Sequence, residues 1–315
     1  MIKTDKIVNL SIVIPVYNEQ NNIAALVNEI KKNISSSIKY EIIIVDDGST
    51  DNTLKELKLL CKRYKDIIII KHKKNYGQSI SIRSGILSSN KDFILTLDGD
   101  GQNDPKDIIK MIDVYNENEN CLVHGFRKNR SDPYFTKILP SKIANYIVRK
   151  FTNSKIIDHG CSLKIFDKNL IDVNEFFGDF HRLFAAQIRQ DIKVVEIEVN
   201  HRPRIKGKSK YGFERVLRVL IDLIFINFTK KDRSSFYTLG TLGLLSFFLS
   251  LISLTYMLYL KIIMSRDFVD TPLPIIFIFF TLSGFIFFAL NLVLETIKRD
   301  KKLDIRKTKD YKIVK

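Results

Sequence analysis

Two carboxylates separated by one glycine follow a short β-rich run of the sequence. Asp98 and Asp100 flank Gly99 directly after Phe93–Leu97 (FILTL). At the end of a strand, side chains with this spacing can converge on one cation. Hard oxygen ligands favour Mg²⁺ or Mn²⁺, which usually complete their coordination with substrate phosphates. The pattern predicts a metal site that holds a nucleotide diphosphate and neutralises its departing charge; the alternative is a solvated turn.

A second acidic pair, Asp46 and Asp47, ends the run Tyr40–Val45 (YEIIIV) and precedes Gly48 and Ser49. Carboxylates at such a position can accept hydrogen bonds from a base or a ribose. Asp and Ser are also preferred helix caps, so a structural role at the start of the next helix is the alternative. We predict a nucleotide-binding role, because ligands of open α/β sheets bind beyond the carboxyl ends of the strands.

The basic segment 201–212 (HRPRIKGKSKYG) is a third candidate. Between Arg202 and Lys210 it holds five Lys or Arg side chains around Gly207. Arginine binds phosphate through a planar fork, and lysine binds it as a point charge. A glycine allows such a loop to close over a substrate. We therefore predict phosphate contacts from this segment, with attraction to lipid headgroups alone as the alternative.

The first hundred residues alternate strand and helix patterns, which place both acidic pairs. Strands are predicted at 10–16, 40–45, 66–72 and 93–97, with helices at about 20–33 and 49–64 and another within 75–89. Asn18 is the predicted cap of the first helix, and Ser49 or Asp51 that of the second. Further along, the pattern predicts a helix at 104–120, a basic amphipathic stretch at 133–152, a strand at 193–200 and an amphipathic interface helix at 213–228. The βαβαβαβ order implies an α/β fold with a mostly parallel, doubly wound sheet. The sequence has neither a GxGxxG motif after the first strand nor a GxxxxGK[ST] motif, which argues against a dinucleotide dehydrogenase and a P-loop NTPase.

Two long segments without charge follow this region. Residues 236–260 and 272–294 each exceed the roughly 20 residues that a helix needs to cross a bilayer, and we predict a two-helix membrane anchor. Two buried helices of a soluble domain are the alternative. Nine Lys or Arg residues lie within 298–315, whereas the linker 261–271 holds only two. The excess of basic residues outside the two spans places both termini in the cytoplasm. We expect domains at 1–212 (catalytic), 213–235 (juxtamembrane), 236–297 (anchor) and 298–315 (basic tail).

The composition narrows the class of protein. The formal net charge of +16 invites a nucleic-acid interpretation. Much of the excess flanks the predicted spans, however, where anionic lipid headgroups explain it. Cys61, Cys121 and Cys161 show no metal-binding spacing, so we interpret them as reduced thiols.

Several short motifs together resemble the inverting family 2 glycosyltransferases of GT-A fold. They are Ser11–Glu19 (SIVIPVYNE), Val45–Ser49 (VDDGS), Asn75–Gln78 (NYGQ), Leu97–Gln102 (LDGDGQ), Gly125–Lys128 (GFRK), Pro140–Asn145 (PSKIAN), Asp158–Lys164 (DHGCSLK) and Gly207–Tyr211 (GKSKY). Within that family the chain resembles the polyprenyl-phosphate glycosyltransferases, which include dolichyl-phosphate mannose synthase and the undecaprenyl-phosphate aminoarabinose and glucose transferases. The resemblance extends over nearly the whole chain, including the paired C-terminal spans.

The resemblance implies roles for particular residues. The nucleotide-sugar would contact Pro15, Tyr17, Glu19, Asp46, Asp47 and Gly77, and Asp98, Asp100 and Gln102 would handle the metal and the diphosphate. The acceptor phosphate would contact Arg127, Lys137 and Ser141, with Arg204 and Lys210 closing over both phosphate groups. One departure matters. Cys161 stands where many mannose synthases have an acidic residue after the motif glycine, which leaves a base role for Asp158 open.

The resemblance implies an enzyme with Mg²⁺ or Mn²⁺ as cofactor. It would transfer a sugar from a nucleotide-diphosphate sugar to polyprenyl phosphate, inverting the anomeric carbon. A UDP-sugar donor is favoured and GDP-mannose is the alternative; the acceptor would be undecaprenyl phosphate in the cytoplasmic membrane of a bacterium. A nucleic-acid partner is not expected, and a homo-oligomer is left open. The rivals are a processive polysaccharide synthase, whose family has a Gln-x-x-Arg-Trp motif that a chain without Trp cannot form, and a non-catalytic scaffold that binds nucleotide or lipid.

Overall fold

The computed structural model describes residues 9–35, 38–118, 120–128, 138–152, 156–170, 173, 192–203, 235–304 and 311–314. The chain divides into two compact units. The first comprises Met1–Leu223 and Lys309–Lys315, and the second comprises Ile224–Thr308. The predicted interface helix at 213–228 and the basic segment 204–210 lie outside the described residues.

The first unit is an α/β domain whose elements follow the predicted order. Its strands are β1 (Asn9–Val16), β2 (Lys39–Asp46), β3 (Ile67–His72), β4 (Phe93–Thr96), β5 (Cys121–Phe126), β6 (Lys164–Asp167), β7 (Lys193–Glu198) and β8 (Tyr311–Val314). Within the described residues its helices are α1 (Ile23–Asn33), α2 (Thr53–Arg63), α3 (Gln78–Leu87), α4 (Asp107–Glu117) and α5 (Leu139–Thr152).

The eight strands form one mixed sheet in the order β7-β5-β6-β4-β1-β2-β3-β8. The central strands β4, β1, β2 and β3 are parallel. Strand β6 runs antiparallel to both β4 and β5, while β7 is parallel to β5. The fold is therefore the mostly parallel sheet that the sequence predicts, and its central strands end at one shared edge.

Helices cover both faces of the central strands, which explains why these strands are continuous apolar runs. In β1, Ile12 and Ile14 are fully buried in one core cluster and Val13 is fully buried in the other. In β2, Ile42 likewise belongs to the first core cluster and Ile43 to the second. Successive side chains of a strand point to opposite faces, so a strand that is buried on both faces must be apolar at every position.

Three strands were not predicted. Strand β5 carries His124 and Gly125, which mask its pattern, and β6 is only four residues long. Strand β8 lies within the segment that we expected to be a basic tail, yet it pairs antiparallel with β3 and aligns Ile313 with Ile70. The expected tail also begins differently, because residues up to Asp304 continue the last helix.

The predicted caps of the first two helices are wrong. Asn18 does not cap α1, which begins at Ile23. Instead Asn18 adopts a left-handed conformation with φ of 55°, and its side-chain oxygen accepts a hydrogen bond from Thr50 N at 2.8 Å. The residue before α2 is Asn52, whose side chain makes no capping bond, so neither Ser49 nor Asp51 holds the cap position. Asp51 still supports the start of the helix, because its Oδ1 accepts a hydrogen bond from Thr53 N at 2.9 Å.

The second unit contains two long apolar helices, α6 (Ser235–Ile263) and α7 (Leu273–Asp304). Segments Leu239–Ile262 and Leu273–Leu294 are long and apolar enough to cross a membrane. Small and hydroxyl side chains lie between the two helices. Ser250 Oγ is 2.6 Å from Thr281 Oγ1, and Gly284 packs against the Phe247 ring. Close contacts of small residues and hydroxyl hydrogen bonds are typical of paired helices in a bilayer.

Candidate active site

A cavity of about 160 Å³ lies at the carboxyl ends of the central strands. It is lined by Pro15, Val16, Tyr17, Glu19, Asp47, Asn75, Gly77, Gln78, Ser81, Asp98, Gly99 and Asp100. The tertiary structure thus collects residues from the four segments that follow β1, β2, β3 and β4. The two acidic motifs, at the ends of β2 and β4, meet in this single cavity.

Asp47 is held by three neighbouring groups of the protein. Its Oδ1 accepts hydrogen bonds from Tyr76 N at 2.9 Å, and its Oδ2 accepts one from Gly77 N at 2.8 Å. His72 at the end of β3 contributes a third bond, because its Nδ1 lies 2.8 Å from Asp47 Oδ1. The other ring nitrogen of His72 lies 2.9 Å from Ser84 Oγ. Gly77 has φ of 93°, a conformation that favours glycine.

Asp46 occupies a different environment from its neighbour. It is fully buried and does not line the cavity. Its Oδ1 accepts a hydrogen bond from Ser49 N at 2.9 Å, which stabilises the turn after β2. This bond supports a turn and is not the helix cap weighed as the alternative for the acidic pair, because α2 begins only at Thr53. Asp47, by contrast, faces the cavity.

Glu19 and its neighbours connect the loop after β1 to the loop after β2. Glu19 N donates a hydrogen bond to Thr53 Oγ1 at 2.9 Å, and Asn22 donates one to Glu19 Oε2 at 2.7 Å. Asn18 N donates a further bond to Ser49 Oγ at 3.0 Å. These bonds fix the wall of the cavity that Pro15, Tyr17 and Glu19 form.

Asp98 and Asp100 follow β4, which lies on the other side of β1 from β2. Gln78 donates a hydrogen bond to Asp98 Oδ1 at 2.6 Å, and Gln102 N donates one to Asp100 Oδ1 at 3.1 Å. A Cβ on Gly99 would lie 2.5 Å from a methyl carbon of Val16, so the residue between the carboxylates must be glycine for this close packing.

The two carboxylates fit a divalent metal that is shared with a substrate. Among the described residues, no group of three or more His, Cys, Asp or Glu side chains converges on one point. A metal held by Asp98 and Asp100 would need further oxygens from phosphate or water, which is how Mg²⁺ sites in nucleotide-dependent enzymes are usually completed.

Gln102 lies beside the cavity rather than in its lining, and it is bonded to the segment after β7. Arg202 N donates to Gln102 O at 2.8 Å, and Gln102 Nε2 donates to Arg202 O at 3.4 Å. The Arg202 guanidinium binds Glu29 at 2.7 Å and Asp104 at 2.6 Å. The start of the basic segment 201–212 is thereby bonded to residues that follow the Asp98–Asp100 motif.

Arg127 and Asp158 form a buried, two-pronged ion pair. Arg127 Nε donates to Asp158 Oδ2 at 2.7 Å, and its Nη2 donates to Asp158 Oδ1 at 2.9 Å. Gly160 N also donates to Oδ1, at 3.2 Å. Both oxygens of Asp158 are therefore engaged by donors, an arrangement that suits a structural carboxylate better than a general base.

A cluster of buried ionisable side chains lies next to this pair. Lys164 donates a hydrogen bond to Cys161 O at 2.5 Å, and burial lowers the pKa of Lys164 to about 8. Burial also lowers the pKa of His159 to about 4 and that of His124 well below its ordinary value. Burial raises the pKa of the Cys161 thiol to about 11, so Cys161 is a neutral group that cannot replace an acidic residue.

The other predicted acceptor residues lie on α5 or outside the described residues. Ser141 lies in the first turn of α5, whose first residue is Leu139. Lys137, Arg204 and Lys210 lie outside the described residues. Their predicted contacts with phosphate stay predictions.

The geometry adds residues that the sequence did not single out. His72 supports Asp47, and Gln78 contacts Asp98. Gln78 belongs to the NYGQ motif, which could have indicated a functional role from the sequence. A histidine at the end of a strand gives no such indication. Lys164 was likewise part of a quoted motif, but its burial depends on β6 packing against β4 and β5.

Comparison with known proteins finds a matching family model and related sequences that cover most of the chain. Residues 11–175 match the model of the family "Glycosyl transferase family 2". The chain is 33% identical to the dodecaprenyl-phosphate galacturonate synthase of Rhizobium johnstonii, over 92% of this chain and 88% of that protein. It is 31% identical to the undecaprenyl-phosphate 4-deoxy-4-formamido-L-arabinose transferase of Proteus mirabilis, over 94% of this chain and 90% of that protein.

Solved structures share the fold at low identity. Glucosyl-3-phosphoglycerate synthase from Mycobacterium tuberculosis, in complex with Mn²⁺, UDP-glucose and phosphoglyceric acid, matches with a TM-score of 0.52 at 14% identity. The match covers 72% of this chain and 82% of that one. The same enzyme with Mg²⁺ and UDP matches with a TM-score of 0.51 at 13% identity, over 68% and 79% of the two chains.

Proposed function

The chain belongs to glycosyl transferase family 2, and on that premise we propose that it transfers a sugar from a nucleotide-diphosphate sugar to a polyprenyl phosphate. The product would be a membrane lipid that carries one sugar through a phosphodiester. The two curated relatives carry names of this reaction type, with galacturonate and 4-deoxy-4-formamido-L-arabinose as their sugars. We propose a UDP-sugar as donor, with GDP-mannose as the alternative, and undecaprenyl phosphate as acceptor.

The observation that carries the proposal is the cavity that joins Asp47 to Asp98 and Asp100. A nucleotide sugar has a nucleoside at one end and a diphosphate beyond it. Asp47 and the wall formed by Tyr17 and Glu19 would contact the nucleoside, and the carboxylates after β4 would hold the diphosphate through a metal. When bound, Mg²⁺ or Mn²⁺ would neutralise the charge that develops on the departing diphosphate.

The chemistry of the acceptor explains why the site needs no obvious base. A phosphate monoester is already anionic near neutral pH, so little proton removal is required before it attacks. Asp158, the one candidate base, is engaged by Arg127 and by Gly160 N. Catalysis would rest on alignment of the two substrates and on charge stabilisation. We propose in-line displacement that inverts the anomeric carbon.

Contacts with the acceptor phosphate are proposed for Arg127, Ser141 and three residues outside the described part of the chain, namely Lys137, Arg204 and Lys210. Two donor nitrogens of Arg127, Nε and Nη2, already bind Asp158. We therefore propose that Nη1 makes the contact with the phosphate. A phosphate bound there would meet a guanidinium that is already fixed in orientation, which lowers the entropy lost on binding.

The two apolar helices support a location at a membrane. Two further observations support an orientation in which both flanks of the helix pair lie on the same side. Basic residues flank the pair on its outer sides, as expected for cytoplasmic ends. In addition, the strand β8 that follows α7 belongs to the same sheet as β1, which precedes α6 in the sequence. A chain that leaves and re-enters one domain through two spans has both flanks on one side of the membrane. We propose that side to be the cytoplasm of a bacterial cell.

A transfer assay with membranes that contain the full chain tests the proposal. Undecaprenyl phosphate is incubated with a panel of UDP-, GDP- and dTDP-sugars, and lipid products are identified by mass spectrometry. We expect one donor to give a lipid with a single added sugar, and membranes with Asp100→Asn to give none. Products with several sugars would indicate a polysaccharide synthase. Nucleotide binding without any transfer across the panel would favour a non-catalytic scaffold.

A further inference from the structure

The segment 75–78 (NYGQ) contacts two of the carboxylates that line the cavity, Asp47 and Asp98. The backbone N–H groups of Tyr76 and Gly77 hold Asp47 at 2.9 and 2.8 Å. The next side chain, Gln78, holds Asp98 Oδ1 at 2.6 Å. One turn therefore connects the end of the cavity assigned to the nucleoside with the end assigned to the metal.

Gln78 has a defined orientation toward Asp98. An ionised carboxylate can only accept, so the contact must come from the amide nitrogen of glutamine. Gln78 is the first residue of α3, and Gly77 before it is fixed by its bond to Asp47. Both Gln78 and Asp98 line the cavity. In the described part of the chain, no hydrogen bond to the second oxygen of Asp98 accompanies this contact, so Oδ2 is available for a cation.

We propose that Gln78 is a positioning residue that presents Asp98 to the divalent metal. The inference rests on the metal-dependent transfer proposed above. The amide holds one oxygen of Asp98, which restricts rotation of the carboxylate and directs the other oxygen into the cavity. Hydrogen-bond partners of metal ligands commonly change metal affinity by about 10–100-fold, and hydrogen bonds to charged groups are stronger than those between neutral groups.

The test is Mn²⁺ binding to the detergent-solubilised full chain, measured by electron paramagnetic resonance without nucleotide. Gln78→Met keeps the length of the side chain but removes the donor, and we expect its Mn²⁺ affinity to fall at least tenfold. In EDTA the same variant should bind UDP or GDP as the wild type does, because Asp47 is held by backbone groups that the substitution does not alter. This difference between metal and nucleotide affinity is not expected of a general structural defect.

Gln20→Met is the matched control. This substitution removes the hydrogen bond that the Gln20 side chain accepts from Asn52 N, and Gln20 does not contact Asp98. The Mn²⁺ affinity of this variant should therefore equal that of the wild type. Unchanged Mn²⁺ affinity in Gln78→Met would overturn the positioning role, and so would an equal loss of Mn²⁺ affinity and metal-free nucleotide affinity. Asp98→Asn separates this inference from the proposed function. If the wild type binds no Mn²⁺, the inference fails, and if Asp98→Asn binds it normally, the proposed metal site at Asp98 fails as well; sugar transfer in the donor panel tests the proposed function separately. If Asp98→Asn loses Mn²⁺ and Gln78→Met does not, only the inference fails.

Discussion

Arg127 and Asp158 are joined by two hydrogen bonds of 2.7 and 2.9 Å between side chains that are almost completely shielded from solvent. Such a pair is costly to break from one side, because the remaining charge stays buried without its partner. This geometry favours a structural role for Asp158 over proton transfer.

Replacement of Asp158 should therefore affect stability first. We expect Asp158→Ala to lower the free energy of unfolding by about 3–5 kcal/mol, measured by denaturant titration of the detergent-solubilised chain. The matched control is Glu198→Ala, which removes an exposed ion pair to Lys128 with a distance of 3.4 Å. That pair should contribute no more than about 1 kcal/mol. A stable Asp158→Ala protein without activity would instead support a catalytic role for Asp158.

Metal dependence should follow the Asp98–Asp100 pair. We expect Asp100→Asn to lower turnover at least about a hundredfold, or about 2.7 kcal/mol in barrier, because one of the two carboxylate ligands is lost. EDTA should inactivate the wild type, and Mn²⁺ or Mg²⁺ should restore it but not the variant. Asp92→Asn, on the exposed start of the same strand region, is the control and should keep full activity. Full wild-type activity in EDTA would exclude the metal.

Acid should destabilise the protein partly through His159. Burial lowers the pKa of His159 from 6.5 to about 4. Between these values the unfolded chain binds a proton that the folded chain excludes, so the free energy of unfolding rises with pH across this window and falls as pH drops. His159→Gln should remove up to one proton, or about 1.4 kcal/mol per pH unit, from that slope.

Urea titrations between pH 4 and 7 measure this slope for both proteins. The carboxylates and His124 are present in each, so the difference between the two slopes reports His159 alone. Equal slopes would mean that His159 is protonated equally in the folded and unfolded chains.

The last strand should protect an edge of the catalytic sheet. Strand β8 pairs with β3, aligning Tyr311 with His72 and Ile313 with Ile70. Ile313→Pro removes an N–H from this ladder and is poorly compatible with a paired strand, whereas Ile313→Thr should preserve it. Hydrogen exchange of peptides that cover Ile67–His72 should accelerate at least tenfold in Ile313→Pro only. Equal protection in both variants would show that β8 does not shield β3.

The orientation of the anchor can be tested by cysteine labelling. In a variant with Cys61, Cys121 and Cys161 replaced by alanine, Arg266→Cys should react with a membrane-impermeant maleimide from outside intact cells. Lys315→Cys should react only after permeabilisation, because both flanks of the anchor are expected to be cytoplasmic. Labelling of position 315 but not 266 from outside would reverse the orientation.

Much of the fold follows from local patterns in the sequence. Strands that are buried on both faces need apolar residues at every position, so β1, β2 and β3 are visible as runs such as Ile67–Ile70. The helices that could cross a membrane are visible because a bilayer demands long uncharged segments. The carboxyl ends of the strands are equally local, which is why Asp47, Asp98 and Asp100 could be proposed as neighbours before their positions were known.

Only the tertiary structure decided which side chains are partners. Contacts such as His72 with Asp47, Gln78 with Asp98 and Arg127 with Asp158 join residues that are 20 to 31 positions apart. No periodicity encodes such a pair, because it depends on strand register and on how the connecting loops pack. The same is true of β8, whose few residues become a strand only because the edge of β3 offers unpaired backbone groups. Asp46 and Asp47 are adjacent in the chain, yet one is buried beneath a turn and the other faces the cavity, since neighbouring residues of a strand end point in opposite directions.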